Sequence, residues 1–311
     1  MPESAPVVLI GSACFDIRGR VRDPFQPACA NAGRVRIAPG GTARNIAENL
    51  ARLDVPTRLL TAIGDDEQGR MLIGLTRAAG VLIDDDDLVI DPLRPSGSYL
   101  ALFDADRRPV GAIDDTDVMR AITPRAIHRW HRTLRDAALV VVDATLRPQT
   151  IAAVARLCRR YGVGLCLEPV SLALAPRVGA RLADATLITP NMAEAAVLTG
   201  LPVTNRDETL YAALALQGRG ANTVIITMSG AGAVYVSPDS SGHVPAVHAA
   251  IVDQAGAGDA LTAGVIFGLL NDFALDESVK LGTAMASLTM QSPETVHPEM
   301  SLERAYAHLG V

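Results

Sequence analysis

A glycine-rich turn runs directly into a segment that is apolar on every side, and this junction constrains the fold more than any other stretch of the chain. The turn covers residues 253–259 and the apolar segment covers residues 260–270. A helix that is apolar all round is buried in the middle of a domain. Its first N–H groups then face the turn, and such a helix end binds anions, phosphate above all.

The residues of this junction favour a phosphate site with a base beside it. Gly256 and Gly258 carry no Cβ, so a ligand could approach their backbone closely. The Asp259 carboxylate would repel a phosphate, and we interpret it as a base directed at the group that attacks the phosphate. Gly264 and Gly268, one turn apart, predict close packing of a neighbouring element. The alternative is a turn that only caps a core helix, because short glycine motifs match by chance.

Composition indicates a globular protein and argues against several classes of partner. Of the 311 residues, 49% are apolar and 20% are charged, which is typical of a globular protein. The length is sufficient for the core of one large α/β domain over residues 1–311. The net charge is −6 with scattered basic residues, so we expect no nucleic-acid partner. The apolar run 7–10 is too short for a signal peptide or a membrane span. Four cysteines without CxxC spacing predict reduced thiols in the cytoplasm.

Two kinds of periodicity divide the chain. Continuous apolar runs alternate with helical segments, which indicates a parallel sheet covered by helices on both faces. These runs predict strands at 7–10, 57–63, 137–142, 163–167, 185–188 and 223–227. Alternating apolar and polar residues predict a second, small sheet drawn from about 12–38 and 97–115. A small sheet above a strand-end crevice would act as a lid that excludes water.

Polar residues in the first part of the chain are candidate ligands for a substrate. Asp16 follows the first strand, and open α/β sheets bind ligands at the carboxyl ends of their strands. It could hold a pair of sugar hydroxyls, or it could equally be an Asp that caps a turn. Gly40 and Gly41 precede a helix and offer N–H groups, with Asn45 available for a hydroxyl and Arg44 for an anion. An ordinary turn and first helical turn is the alternative.

Two strand ends in the second half are candidates for a nucleotide and its cation. Asn191 and Glu194 share one helix face and could organise Mg²⁺ through water, although a helix N-terminus also favours Glu in its first turn. The stretch from Thr227 to Gly232 is a turn of small residues where backbone could meet phosphates or ribose. A plain hairpin turn is equally compatible with it.

Three segments in order resemble the motifs of the ribokinase-like (PfkB) family of carbohydrate and nucleoside kinases. They are 40–47 with Gly64 at the expected later spacing, 191–194, and 253–259. The resemblance covers nearly the whole chain and implies a three-layer α/β/α fold with a mostly parallel sheet and a small β-sheet lid. Asp54 and Gln254 differ from the residues that the family usually has at those positions.

Within the family, the chain is most similar to the pseudouridine kinases. That similarity rests on residues 11–16, 33–50, 98–100, 112–115, 121–123 and 168–171. It implies transfer of the γ-phosphoryl group of ATP, with Mg²⁺, to the 5′-hydroxyl of pseudouridine. Other members of the family act on ribose, fructose-type sugars, adenosine or inosine, and these acceptors stay open. A regulator that binds a nucleotide or sugar without catalysis is the alternative from a different class.

The resemblance also implies a role for each candidate residue. The expected substrate ligands are Ser12, Asp16, Gly40, Gly41, Arg44 and Asn45. The expected anion hole consists of the N–H groups of Ala255, Gly256, Ala257 and Gly258, with Asp259 as the base. The expected nucleotide ligands are Asn191, Thr227, Ser229, Gly230 and Gly232. Glu194 would bind Mg²⁺ through water, and Asp253 is the candidate for a monovalent cation such as K⁺. Exposed lid edges predict a homodimer through the lid.

Overall fold

The computed structural model describes residues 5–310, and a nine-stranded sheet forms its centre. Residues 1–4 and residue 311, which the predicted domain of residues 1–311 includes, lie outside the described residues. The strands are β1 Val7–Ile10, β2 Cys14–Val21, β3 Gly33–Gly40, β4 Thr57–Gly64, β5 Leu88–Asp91, β6 Gly97–Phe103, β7 Pro109–Asp115, β8 Leu139–Asp143, β9 Gly164–Glu168, β10 Leu187–Ile188, β11 Thr223–Thr227, β12 Ala233–Val236 and β13 Ser241–Val244.

Helices connect most of these strands. They are α1 Thr42–Ala51, α2 Glu67–Ala78, α3 Pro124–Arg129, α4 His131–Arg135, α5 Pro148–Tyr161, α6 Pro176–Gly179, α7 Met192–Thr199, α8 Arg206–Gly218, α9 Ala257–Leu270, α10 Leu275–Met290 and α11 Leu302–Leu309. Among residues 5–310, none of these helices is both long enough and apolar enough to span a bilayer.

The large sheet runs in the order β13-β12-β11-β10-β9-β8-β1-β4-β5. Every pairing from β11 to β5 is parallel, whereas β12 and β13 are antiparallel. Each face has its own apolar core, because successive residues of a strand point to opposite sides. Val8 and Ile10 pack with α5 and α8 on one face, and Val7 and Leu9 pack with α1, α9 and α10 on the other.

The predicted layers are therefore present, and the differences are confined to short elements. The periodicity did not predict β5, β12, β13, α3, α4 or α6, since four to six residues carry too little pattern. The expected close packing at the glycines of α9 is present. A Cβ on Gly264 would lie 2.7 Å from the Cα of Gly282 in α10, and one on Gly268 would lie 2.4 Å from the Oγ of Ser278.

Four strands form a separate small sheet in the order β3-β2-β6-β7, from the two segments that the sequence predicted. We call β2, β3, β6 and β7 the small sheet. Strand β2 begins only four residues after β1 ends, so the small sheet rises from the carboxyl-end edge of the large one. Asp16 consequently lies within β2, instead of in a loop after β1 as the sequence analysis expected.

Candidate active site

The N-terminus of α9 opens into a cleft at the carboxyl ends of the parallel strands. Gly256 is the residue before the helix and has a φ of +77°, a conformation that favours glycine. A Cβ at this position would lie 1.8 Å from the carbonyl oxygen of Thr295, so only glycine fits. A Cβ on Gly258 would meet no atom within 4 Å, and the helix end therefore faces open space. Helix N-termini of this kind can bind anions, and the anion hole at residues 255–258 stays a prediction.

Asp259 lies in the first turn of α9 and accepts a hydrogen bond of 2.7 Å from the Nδ2 of Asn45. Desolvation raises the pKa of Asp259 to about 7, against the hydrogen bond from Asn45, which lowers it. The negative charges of Asp16, Asp143 and Glu194 raise it further. The side chain keeps partial access to solvent from the cleft. A carboxylate with such a pKa is suited to accept a proton near neutral pH.

Asp143 fixes the loop after β1 to the start of α1, a role that the sequence analysis missed. Its buried Oδ2 accepts hydrogen bonds from the N–H of Ser12 at 2.7 Å, from the Ser12 hydroxyl at 2.8 Å and from the N–H of Ala43 at 3.3 Å. A Cβ on Gly11 would lie 2.3 Å from this carboxylate. Ser12 is thus held inside the protein. The sequence did hold one signal for Asp143: it is a charged residue directly after a run of valines, at the carboxyl end of a strand.

The predicted glycines lie where β3 leads into α1, and both allow close contacts there. A Cβ on Gly40 would lie 2.4 Å from the Oδ1 of Asp16, and one on Gly41 would lie 2.6 Å from the carbonyl oxygen of Ser12. Gly41 also has a φ of +99°, which disfavours any residue with a side chain. Both glycines therefore permit the close approach of segments that carry other candidate residues.

Arg18 bridges the small sheet to the turn before α9. Its guanidinium contacts the Asp16 carboxylate at 3.1 Å through Nη2 and the Asp253 carboxylate through Nη1. Desolvation raises the pKa of Asp16, and the charge of Arg18 opposes this. Asp253 also accepts the N–H of Ala255 at 3.0 Å, which shapes the turn. Asp253 thus has a cationic partner within the chain, and its binding of K⁺ stays a prediction.

Arg44 is buried and pairs with Glu48 one turn along α1. Its Nη1 also donates to the Oδ1 of Asn45 at 3.0 Å, and the Thr295 hydroxyl donates to the same oxygen at 3.2 Å. With Oδ1 accepting two bonds, the Nδ2 of Asn45 points to Asp259. These contacts favour a role for Arg44 in orienting Asn45, and direct contact between Arg44 and a substrate stays a prediction.

The expected nucleotide ligands line a cleft of about 360 Å³ beside the N-terminus of α9. Residues on its wall include Asn191, Glu194, Thr227, Ser229, Gly230 and Gly232. The turn after β11 connects a hairpin, as the alternative expected, and it also lines the cleft, so its contact with a nucleotide stays a prediction. The segment 246–251 and α10 complete the wall, and neither had a signal in the sequence.

Asn191 and Glu194 form a reciprocal cap at the start of α7. The Oδ1 of Asn191 accepts the N–H of Glu194 at 2.9 Å, and the Oε2 of Glu194 accepts the N–H of Asn191 at 2.9 Å. Desolvation raises the pKa of Glu194, and the hydrogen bonds from Asn191 lower it. The capping alternative is therefore present. Glu194 also lines the cleft, and its binding of Mg²⁺ through water stays a prediction.

Glu168 is a further carboxylate at the bottom of the cleft that the sequence analysis did not propose as a ligand. It ends β9, and its Oε2 accepts hydrogen bonds from the hydroxyls of Thr189 at 2.5 Å and Thr262 at 3.3 Å. Desolvation raises its pKa well above the usual range, with Glu194 and Asp259 adding to the effect. Thr262 belongs to α9, so Glu168 ties the large sheet to the helix that carries Asp259.

A large, mostly parallel sheet, a small sheet at its carboxyl edge and a central helix whose N-terminus opens at the strand ends form the arrangement of a ribokinase-like phosphotransferase. Residues 4–301 match the family model described as pfkB family carbohydrate kinase. The chain belongs to the PfkB family of carbohydrate kinases.

Similar proteins support the fold and the general activity. The chain is 30% identical to a pseudouridine kinase of Escherichia coli K12 over 97% of this chain and 96% of that one. It is 27% identical to a guanosine-inosine kinase of Exiguobacterium acetylicum over 94% and 97% of the two chains. The structure of Arabidopsis thaliana ribokinase, solved with ribose and ATP, matches with a TM-score of 0.85 at 21% identity over 99% of each chain. The expected fold class is confirmed, and so is a sugar or nucleoside kinase in the coarser sense.

Proposed function

We propose that this protein transfers the γ-phosphoryl group of ATP to the 5′-hydroxyl of pseudouridine. The observation that carries the proposal is the position of Asp259, between an anion site at the N-terminus of α9 and the polar residues Asp16 and Asn45. The similarity to a pseudouridine kinase over nearly the whole chain supports this acceptor. The cleft beside α9 has room for a nucleotide, which supports ATP as the donor.

In the proposed reaction, Asp16, Gly41 and Asn45 bind the ribose. Ser12, Gly40 and Arg44 keep these three ligands in position. Asp259 accepts the proton of the 5′-hydroxyl as its oxygen attacks phosphorus. The N–H groups of residues 255–258 stabilise the negative charge of the transferring phosphoryl group. Phosphoryl transfer depends mainly on positioning and electrostatics, so a carboxylate is a sufficient base.

The nucleotide and its cation belong to the other side of the cleft. Asn191, Thr227, Ser229, Gly230 and Gly232 would contact ATP. Glu194 would hold Mg²⁺ through water, and the bound ion would supply positive charge to the phosphate oxygens. Asp253 is the proposed site for K⁺, in competition with its contact to Arg18.

ADP release with Mg-ATP, measured across pseudouridine, uridine, inosine, adenosine, ribose and fructose, tests the proposal. A kcat/KM for pseudouridine well above the others would support it. A preference for inosine or adenosine would favour the second candidate function, a purine-nucleoside kinase, for which the guanosine-inosine kinase relative argues. Preference for a free sugar would refute nucleoside specificity and keep the role of Asp259. ATP binding without turnover of any acceptor would favour a regulator.

The rate should depend on pH through Asp259. Because burial raises the pKa of this carboxyl to about 7, kcat/KM is expected to fall about tenfold per pH unit below that value and to level off above it. Initial rates between pH 5 and pH 9 at low nucleoside concentration measure this profile. A rate that is independent of pH across this range would contradict the assignment of Asp259 as the base.

We further propose that residues 1–311 act as one domain in the cytoplasm, with the small sheet as a lid over the acceptor. Its outer face carries an uncharged row across the four strands: Ile37, Ile17, Leu100 and Ile113. Ile37 and Ile113 are 60% and 65% exposed. An identical apolar row on a second copy is the simplest cover for this face, so we propose a homodimer through the lid.

Ile113→Asp should convert that dimer to a monomer in sedimentation velocity, whereas Met71→Asp, elsewhere on the surface, should not.

A further inference from the structure

The inner face of the small sheet continues beyond Asp16 with two side chains that the proposed reaction does not use. Asp16 in β2 pairs with Tyr99 in β6, and Tyr99 pairs with Asp114 in β7. Residues that are direct partners across strands lie on the same face, and neighbouring strands are about 4.8 Å apart. Asp114 therefore lies roughly 10 Å from Asp16 on the same face, with Tyr99 between them.

This face is the one directed to the cleft. Arg18, two residues after Asp16 and therefore on the same face of β2, contacts Asp253 in the turn before α9. The charge of Asp16 also contributes to the raised pKa of Asp259. Tyr99 is 36% exposed, and desolvation followed by the charge of Asp16 raises its pKa. Asp114 is exposed, and its pKa is raised by desolvation and by the charge of Asp143 beneath the sheet. Both side chains therefore face the space beside the proposed ribose site.

The chemistry of the two uracil nucleosides gives this position a specific task. In uridine, N1 carries the ribose, and the ring offers one N–H donor, at N3. In pseudouridine, C5 carries the ribose, so both ring positions two bonds from the attachment point are N–H donors. A carboxylate that faces the second of these positions accepts a hydrogen bond from pseudouridine and meets a C–H group in uridine.

We infer that Asp114 accepts a hydrogen bond from N1–H of the pseudouracil base while Tyr99 packs against the ring. This inference rests on the proposed function and names the residues that set its acceptor specificity. Tyr99 lies next to Asp16, so its aromatic ring is placed where the base attached to the ribose would lie. A hydrogen bond to a charged acceptor contributes more discrimination than one between neutral groups.

The test compares Asp114→Ala with Asp115→Ala on pseudouridine, uridine and N1-methylpseudouridine. Asp115 is the next residue of β7 and faces the opposite side, so it is a matched control. For Asp114→Ala, kcat/KM with pseudouridine should fall about 10- to 100-fold, mainly through KM, and the ratio of pseudouridine to uridine should approach one. The wild-type protein should use N1-methylpseudouridine as poorly as uridine, and Asp115→Ala should behave like wild type.

The outcomes separate this inference from the proposed function. If the wild-type protein prefers pseudouridine and Asp114→Ala keeps that preference, Asp114 does not recognise the base and the inference is wrong alone. If the wild-type protein uses N1-methylpseudouridine as well as pseudouridine, recognition of N1–H is likewise excluded. If the wild-type protein does not phosphorylate pseudouridine, both proposals fail together.

Discussion

The Asp259→Asn variant is expected to lose at least about 100-fold in kcat while its KM for the nucleoside changes little. Asparagine has nearly the same shape and can still accept the hydrogen bond from Asn45, but it cannot take the proton of the attacking hydroxyl. The loss therefore falls on the transition state and leaves ground-state binding intact. ADP release at saturating Mg-ATP measures kcat, and the residual rate should no longer fall below pH 7.

Stability provides the control for this variant. The folded-state pKa of Asp259, about 7, lies above its unfolded value, so the folded protein binds more protons than the unfolded chain between the two values. Ionised Asp259 consequently destabilises the fold, and its effect grows as pH rises from about 4 to 7. At pH 8, Asp259→Asn should unfold at the same or a higher temperature than wild type. Asp239→Asn, an exposed change in the β12–β13 turn, should alter neither rate nor stability.

A kcat near that of wild type for a folded Asp259→Asn protein would exclude the base. If Asp259→Asn unfolds at a lower temperature than wild type at pH 8, desolvation is not the reason for the raised pKa of Asp259. The two measurements are independent, because one reports proton transfer in the reaction and the other reports the cost of a desolvated charge in the resting protein.

The sequence predicted the parts of the fold and site that depend on local pattern. Residues 260–268 of the apolar segment form the buried part of α9, whereas Leu269 and Leu270 are exposed. The strands at 7–10 and 223–227 were predicted to the residue. Gly40, Gly41 and Gly256 proved to be positions of close approach or positive φ, which is what glycine in a motif indicates. Asp54, where the family usually has glycine or serine, has a φ of +58°, so its difference is confined to a tight turn.

Contacts between distant segments could not be predicted. Asp143 meets Ser12 across 131 residues, and Asn45 meets Asp259 across 214 residues, and neither pairing leaves a periodic signal in one sequence. The same holds for Arg18, whose pairing with Asp253 depends on how the small sheet lies over the turn. The position of Glu168 beneath α9 could not be predicted either, because it follows from tertiary packing. Alternation predicted the strands of the small sheet, but only the register places Tyr99 and Asp114 beside Asp16.

Gly256→Ala and Gly258→Ala, two residues apart in the same turn, are expected to change stability in opposite directions. At 256, an alanine must adopt a positive φ, which costs about 1–2 kcal/mol, and its Cβ would collide with the Thr295 carbonyl oxygen. Overpacking adds about 1–3 kcal/mol, so the free energy of unfolding should fall by roughly 2–5 kcal/mol. At 258, the residue is already in α9 and its Cβ position is open, so alanine should stabilise the helix by up to about 1 kcal/mol. Urea unfolding measures both changes.

Activity should nevertheless fall in both variants, and this combination identifies the turn as an anion site. The open space at Gly258 is the proposed place of the transferring phosphoryl group, and a methyl group there would displace it by about 1 Å, enough to reduce kcat by up to about 100-fold. A turn that only caps a core helix would predict that the more stable variant, Gly258→Ala, keeps full activity. A more stable and fully active Gly258→Ala protein would therefore exclude the anion hole, whereas a more stable and inactive one is explained only by a ligand that needs the space beside the backbone.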